Sequence, residues 1–168
     1  MKNYIKEGQK LPLYGIGPAL VAGMAALTLA GILLAPNALK SGAVSGAWVI
    51  AFRAAGALLI IAGAAIWLVG AVGSGMDESI AENRLKTDGL YAWVRNPMYS
   101  GWWLAFAGIA LMFCNAWLLL IPLVNWGIMT VVLKNTEEKW LRQVYGQAYD
   151  DYCRRVNRCL PWFPRKGA

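Results

Sequence analysis

Residues 96–133 are NPMYSGWWLAFAGIALMFCNAWLLLIPLVNWGIMTVVL, a run without one charged side chain. A transmembrane helix needs about 20 mostly apolar residues, so this run is too long for one span and just long enough for two. Asn115 lies near its middle and predicts a tight turn. We therefore expect a helical hairpin with helices at Met98–Cys114 and Ala116–Leu133. The alternative is a single kinked helix with a re-entrant end.

Two further uncharged runs precede the hairpin, Leu11–Leu39 and Ala54–Met76. They predict one span each, at Leu13–Ala35 and Ala54–Ser74. The chain is 58% hydrophobic and only 15% charged, and a soluble protein of this size could not hide so much apolar surface. The predicted fold class is therefore all-α, a polytopic membrane protein with about four transmembrane helices.

The basic residues are distributed unevenly along this chain of net charge +7. All of them except Lys40 and Arg53 fall in the N-terminal segment, the middle loop or the tail. Positive residues gather on the cytoplasmic side of membranes, so we expect both termini in the cytoplasm. The same charges attract anionic membrane lipids, and we predict no nucleic-acid partner.

One membrane domain is expected to cover residues 1–168. In this prediction residues 1–76 hold two spans, and residues 77–168 hold the hairpin 98–133 and the tail 134–168. Glycines recur every seven residues in the second span, at Gly56, Gly63 and Gly70. They give one helix face that allows close approach, either to another helix of the chain or to a second copy in a homo-oligomer.

The chain has no histidine and three cysteines, Cys114, Cys153 and Cys159. Histidine is the commonest metal ligand and general base, so we predict no zinc or di-iron site. The cysteines form no C-x-x-C pair, and a cytoplasmic location predicts free thiols rather than a disulfide.

Two polar segments flank the hairpin. Asn96-Pro97 predicts a helix start, with Asn96 as N-cap and exposed N–H groups that can hold an anion. After the hairpin, an amphipathic helix from Glu137 along the cytoplasmic surface is predicted, broken near Gly146. Glu137 and Glu138 are about 100° apart on a helix, so only one can enter a given site. The other is expected to pair with a cation one turn away, Arg142 or Lys134.

Together these segments resemble one family of membrane enzymes. Its pattern is roughly T-x-G-x-Y-x-x-x-R-H-P-x-Y-x-G, a hydrophobic hairpin, E-E-x-x-L, F/Y-G-x-x-Y, then a second Tyr, an Arg and a Pro. The matching residues are Thr87, Gly89, Tyr91, Arg95, Pro97, Tyr99, Gly101, Glu137, Glu138, Leu141, Tyr145, Gly146, Tyr149, Tyr152, Arg155 and Pro161. The chain thus resembles the isoprenylcysteine carboxyl methyltransferases and the related phospholipid N-methyltransferases, over about half its length.

The resemblance implies S-adenosylmethionine as methyl donor, an active site at the cytoplasmic face and a lipophilic acceptor that enters from the bilayer. Carried over by position, one group of residues would bind the donor: Leu85, Lys86, Tyr91, Asn96, Pro97, Met98, Tyr99 and Glu137. A second group would be catalytic: Arg95, Glu138, Tyr149 and Arg155. The implied reaction is most like isoprenylcysteine carboxyl O-methylation.

The chain departs from the family pattern at two positions. Asn96 stands where the family has histidine, so a histidine base is excluded there. Leu133 stands where the carboxyl methyltransferases tend to place a substrate-binding arginine, with Lys134 the nearest cation. Three alternatives stay open: N-methylation of an ethanolamine headgroup, a non-catalytic protein that binds the cofactor, and a sterol-reductase type of enzyme.

Overall fold

The structure is a computed structural model that describes residues 15–73, Gly75 and 84–163. Across these residues it is built from helices and short turns, with isolated bridges in place of β-strands, which confirms the predicted all-α class. The α-helices are α1 (Gly17–Leu34), α2 (Ala47–Ala71), α3 (Pro97–Met112), α4 (Leu120–Asn135), α5 (Glu137–Tyr145) and α6 (Gln147–Arg155). Short 3-10 turns lie at Lys40–Gly42, Gly89–Ala92 and Ala116–Leu119. Several predicted features lie outside the described residues: the start of the first span at Leu13, Ser74, residues 77–83, Pro164, and the basic residues Lys2, Lys6, Lys10, Arg165 and Lys166.

The uncharged run 96–133 forms α3 and α4, with the reversal of direction around Asn115. Cys114 takes a positive φ of 49°, and the Asn115 side chain accepts a hydrogen bond from the Trp117 N–H at 3.0 Å. The Asn115 amide also donates to the Leu39 carbonyl at 2.8 Å. Asn115 therefore closes the turn and fastens it to the connection between α1 and α2.

Three stretches are long and apolar enough to cross a membrane by length and composition: Gly17–Leu34, Ala47–Ala71 and Ala116–Tyr145. They make the chain an integral membrane protein. α3 has 16 residues, which corresponds to about 24 Å, short of the roughly 30 Å of a hydrocarbon core. Its two ends nevertheless meet the two ends of α2: Pro97 and Met98 lie beside Gly70, and the Cys114 carbonyl accepts from Val44. A fourth span stays a prediction.

The second span begins earlier than predicted, at Ala47 instead of Ala54. The prediction treated Arg53 as the end of the apolar run, but Arg53 lies exposed within α2. A long arginine side chain can reach polar surroundings from inside a helix, so a single charge does not end one. The start is set instead by Gly46, which has a positive φ of 63°.

The glycine face of α2 packs directly on α3. A Cβ on Gly63 would lie 2.5 Å from the Gly101 carbonyl oxygen, and one on Gly56 would lie 2.7 Å from the Gly108 carbonyl oxygen. Both obstacles are backbone atoms, so the two helices approach as closely as glycine allows. Of the two uses expected for the glycine repeat, the structure thus shows close packing against another helix of the same chain.

α1 packs on α3 and α4 rather than on α2. Met24, Met129 and Leu133 are fully buried there, in a core with Leu20 and Phe106. α1 and α2 thus pack on α3 separately, without comparable contact between them.

The tail doubles back on the start of α3. α5 and α6 meet at Gly146, whose φ of 51° produces the predicted break. Residues 157–162, here named the tail strap, then run beside residues 93–96. The Arg95 N–H donates to the Asn157 carbonyl at 2.9 Å, and the Asn96 N–H donates to the Arg158 carbonyl at 3.1 Å.

Candidate active site

A cavity of about 920 Å³ lies where the beginnings of α1 and α3, the end of α2, residues 84–86 and the helices α5 and α6 meet. Every residue predicted to bind the donor lines this cavity. They are Leu85, Lys86, Tyr91, Asn96, Pro97, Met98, Tyr99 and Glu137. Seven of them lie within residues 85–99, and the fold brings Glu137, almost 40 residues later, to the same cavity.

Glu137 is held at the cavity by two hydrogen bonds. The Tyr99 hydroxyl donates to Glu137 Oε1 at 2.5 Å, and the backbone N–H of Ile16 donates to the same carboxylate. A Cβ on Gly15 would lie 2.8 Å from Glu137 Oε1, and one on Gly17 would lie 2.9 Å from the Tyr99 hydroxyl. The start of α1 therefore sits directly on the carboxylate, a contact that the sequence motifs did not predict.

Glu138 lies behind the cavity wall and does not line the cavity. The expected pairing with Arg142 or Lys134 is wrong, because Arg142 binds Asp150 at 2.8 Å on the surface. Glu138 is instead buried and accepts from both Arg158 Nε and Arg158 Nη2. Local spacing could not predict this partner, since Arg158 reaches Glu138 only after the tail has folded back.

Of the residues predicted to be catalytic, Arg95 and Tyr149 line the cavity. Arg95 Nη1 lies 3.2 Å from Glu138 Oε1, donates to the Tyr149 hydroxyl at 3.4 Å and contacts the Cys153 thiol. Burial is the main cause that raises the pKa of Tyr149, and the Glu138 charge raises it further. Burial also raises the pKa of the Cys153 thiol, against the effect of Arg95. Both groups are therefore neutral hydrogen-bonding groups near pH 7.

The structure does not bring Arg155 to the site. Arg155 is exposed at the end of α6 and does not line the cavity. Arg158, three residues later, occupies the position next to Glu138. The motif match chose Arg155 because the path of the tail strap is not visible in residue spacing.

Asn96 begins α3, but its side chain makes no capping hydrogen bond to the helix. Its amide donates instead to the Arg158 carbonyl at 3.0 Å, so the predicted side-chain cap is wrong. The Asn96 carbonyl accepts from the N–H and the hydroxyl of Ser100. Asn96 thus fastens the tail strap to the wall of the cavity.

Tyr91, Arg95 and Tyr99 do not share a helix face. Tyr91 lies in the 3-10 turn before α3, where its carbonyl accepts from the Tyr152 hydroxyl at 2.5 Å. All three still line the same cavity. Lys86, which also lines the cavity, pairs with Asp88 at 2.9 Å. Within the described ranges, no three potential ligand side chains cluster as a metal site would require.

One part of the cavity lining, here named the apolar arm, is formed by residues of α1, α2 and α3. α1 contributes small side chains and α2 and α3 contribute aromatic ones, with the Trp67 and Trp102 rings 6.0 Å apart. The residues of this apolar arm are Val21, Ala22, Ala25, Trp67, Trp102 and Phe106. The sequence carried no motif for it, because apolar lining residues look like any other residues of a membrane helix.

Comparisons with known proteins agree on one kind of enzyme. A family model described as phospholipid methyltransferase matches residues 51–148, more than half of the chain. A protein-S-isoprenylcysteine O-methyltransferase of Schizosaccharomyces pombe is 33% identical over 49% of this chain and 35% of its own length. Another, from Rattus norvegicus, is 31% identical over 65% of this chain and 41% of its own. A methanethiol S-methyltransferase of Crocosphaera subtropica is 32% identical over 49% of this chain and 31% of its own.

The matched regions thus span less than half the length of each of these relatives. No solved structure gives a significant match to this chain.

Proposed function

The chain belongs to the phospholipid methyltransferase family, and from this membership we propose that it transfers a methyl group from S-adenosylmethionine to a lipophilic acceptor at the membrane surface. The observation that carries the proposal is one cavity lined by both polar and apolar residues. Its lining includes the polar residues Lys86, Arg95 and Glu137, and its apolar arm is formed by residues of α1, α2 and α3. A cavity of this size is typical of small-molecule sites.

The polar residues of the lining suit S-adenosylmethionine, which carries an ammonium group and a sulfonium. Glu137 offers a carboxylate to a cationic group, and hydrogen bonds between charged groups are stronger than those between neutral groups. Tyr99 and the Ile16 N–H hold this carboxylate in advance. A side chain at Gly15 would collide with Glu137 and one at Gly17 with Tyr99, so glycine permits this close approach of α1. When bound, the donor supplies a methyl group on a positively charged sulfur.

Methyl transfer to a carboxylate or thiolate is a direct displacement and needs no general base. The protein has to align the acceptor with the methyl group and exclude water. The apolar arm would hold the hydrocarbon part of the acceptor, and Tyr99 and Glu137 would fix the donor side. Tyr149, which lines the cavity as a neutral hydroxyl, offers a hydrogen bond, which suits a reaction without proton abstraction.

We propose the carboxylate of an isoprenylated cysteine as the acceptor. The similarity to proteins named protein-S-isoprenylcysteine O-methyltransferase supports this choice. The second candidate is the ethanolamine headgroup of a phospholipid, which the description of the matching family model favours. An amine would have to arrive in its neutral form, whereas a carboxylate arrives ready to react.

We further propose that residues 1–168 form one membrane domain with both termini and the active site on the cytoplasmic side. The concentration of basic residues outside the spans supports this orientation. In this arrangement the donor enters from the cytoplasm and the acceptor enters laterally from the bilayer.

The proposed function is tested by offering labelled S-adenosylmethionine to the purified full-length chain with a panel of acceptors. The panel contains N-acetyl-S-farnesyl-cysteine, its already methylated ester, phosphatidylethanolamine and methanethiol. We expect a base-labile labelled methyl ester from the free acid and no label on the ester. Label on the amine of phosphatidylethanolamine would establish the second candidate instead. Binding of the donor without transfer to any acceptor would contradict an enzymatic function.

The apolar arm can be tested in the same assay. Ala25→Phe fills the arm and is expected to raise the KM for the farnesylated acceptor while donor binding is unchanged. Ala26→Phe is the matched control, since Ala26 is exposed on the same helix and does not line the cavity. Equal effects of the two variants would contradict a tail-binding role for the arm.

A further inference from the structure

Glu138 is shared by two arginines, one on each side. Arg158 donates to both carboxylate oxygens, one of them at 3.0 Å, while Arg95 makes a single contact of 3.2 Å through Nη1. The Glu138 side chain retains 2% of its exposure and the Arg95 side chain 8%. The stronger geometry toward Glu138 thus belongs to Arg158, while Arg95 reaches this carboxylate through Nη1 alone.

The triad carries more positive than negative charge. Both guanidinium groups stay protonated, so one carboxylate faces two cations. The other described acids nearby are engaged elsewhere: Glu137 with Tyr99, and Asp150 with Arg142. An unneutralised buried charge is costly unless a ligand or another partner completes it.

Arg95 is the member of the triad that faces the cavity. It lines the cavity wall, whereas Glu138 and Arg158 do not. Its Nε is buried and has no hydrogen-bond partner among the described residues. A guanidinium with a free donor and excess charge is suited to hold a carboxylate or phosphate.

We propose that Arg95 is an anion-binding group for the acceptor and that Arg158 is a positioning residue that keeps Arg95 available. The ligand class is an amphiphile whose oxyanion, a carboxylate or a phosphate, meets Arg95 while its hydrocarbon lies in the apolar arm. This inference rests on the proposed function, because it assigns a role to one wall of that site. Arg95 would then supply the cation for the acceptor, in place of the arginine that the carboxyl methyltransferases tend to have at the position of Leu133.

Arg158 acts by occupying Glu138. Without it, both oxygens of Glu138 are free to bind Arg95, which would neutralise Arg95 and turn it away from the cavity. Arg158 is itself fixed by the tail strap, since its carbonyl accepts from the N–H and the side-chain amide of Asn96. The tail strap thus acts on Arg95 in two steps: Asn96 holds the Arg158 backbone, and the Arg158 side chain occupies Glu138.

The test measures binding without turnover, by calorimetric titration of the full-length chain in lipid nanodiscs without methyl donor. The probes share one farnesyl tail: N-acetyl-S-farnesyl-cysteine, its neutral carboxamide and farnesyl monophosphate. We expect the wild type to bind an anionic probe about tenfold or more tightly than the carboxamide, as a charged hydrogen bond implies. Preference for the carboxylate indicates a prenylcysteine-type acceptor, and preference for the phosphate indicates a phospholipid headgroup.

Substitutions distinguish a positioning role of Arg158 from a role in folding alone. Arg158→Gln is expected to remove most of the preference for the anion and to leave carboxamide affinity unchanged. The double variant Glu138→Gln with Arg158→Gln should regain the preference, because Arg95 is again unneutralised. Arg154→Gln, an exposed arginine on α6, is the control and should match the wild type.

Two results would overturn the inference: equal binding of all three probes by the wild type, or a double variant no better than Arg158→Gln. Failure of the proposed function looks different. In that case the wild type would still prefer the anionic probes, but it would transfer no methyl group to any acceptor in the panel.

Discussion

Glu137 and Glu138 show how adjacent residues of one type acquire different surroundings. Their separation around the helix means that Glu137 faces the cavity and Tyr99, while Glu138 turns inward to Arg95 and Arg158. The sequence predicted that only one of them could enter the site. It could not predict Arg158 as the partner of the other, because that contact depends on the path of the tail strap.

Tyr99→Phe removes the hydroxyl that donates to Glu137. We expect donor affinity to fall about tenfold, since a hydrogen bond to a charged group contributes roughly 1.5–3 kcal/mol. Thermal stability should change little, because the ring stays in place. Tyr145→Phe, at another residue of the cavity lining, is the matched control. Titration of both variants with S-adenosylmethionine checks this, and equal losses would contradict the role given to the Tyr99 hydroxyl.

Cys159 is predicted to be the least reactive of the three thiols. Burial is the main cause that raises its pKa to about 12, so at pH 8 only about one molecule in 10⁴ carries the thiolate that alkylating reagents need. Raising the pH toward 10 should speed alkylation about tenfold per pH unit while the fold persists. Mass spectrometry after timed N-ethylmaleimide treatment measures this. Rapid labelling of Cys159 in the folded chain at pH 8 would contradict its buried position.

At the scale of helices, the pair α2 and α3 depends on glycines at the contact. Gly63→Ala would place a Cβ 2.5 Å from the Gly101 carbonyl oxygen, an obstacle that cannot move without shifting a helix. We expect a loss of about 1–3 kcal/mol in stability, as for other overpacked cores. Gly23→Ala in α1 is the control, because nothing lies within 4 Å of the added methyl group. Thermal unfolding in detergent compares them, and equal melting temperatures would contradict this packing.

The sequence predicted the helices better than their ends and their contacts. Uncharged runs located all the apolar helices, and Asn115 and Gly146 located two of the breaks. The uncharged run predicts the start of α2 at Ala54, and this is wrong because Arg53 lies on the surface of a helix that begins at Ala47. The tail strap was missed because its hydrogen bonds use backbone groups of residues 157 and 158, which carry no side-chain pattern.

For the whole molecule, the orientation in the membrane can be tested by labelling in intact cells. The proposed topology places the α1–α2 connection outside and α5 in the cytoplasm. Ser41→Cys in a Cys114→Ser background should therefore react with a membrane-impermeant maleimide. Lys139→Cys in the same background should react only after the cells are opened. Both positions are exposed, so the reverse pattern would contradict the proposed orientation.

At the same scale, four segments that are distant in sequence meet in one cavity beside Glu137. We propose above all that this cavity binds S-adenosylmethionine through that carboxylate. Calorimetric titration of the purified, folded chain with the donor tests this most directly, comparing the wild type with Glu137→Ala and with Lys139→Ala as a surface control on the same helix. We predict saturable binding by the wild type and the control, and a loss of about tenfold or more for Glu137→Ala. No binding by the folded wild type, or equal binding by Glu137→Ala, would contradict the account.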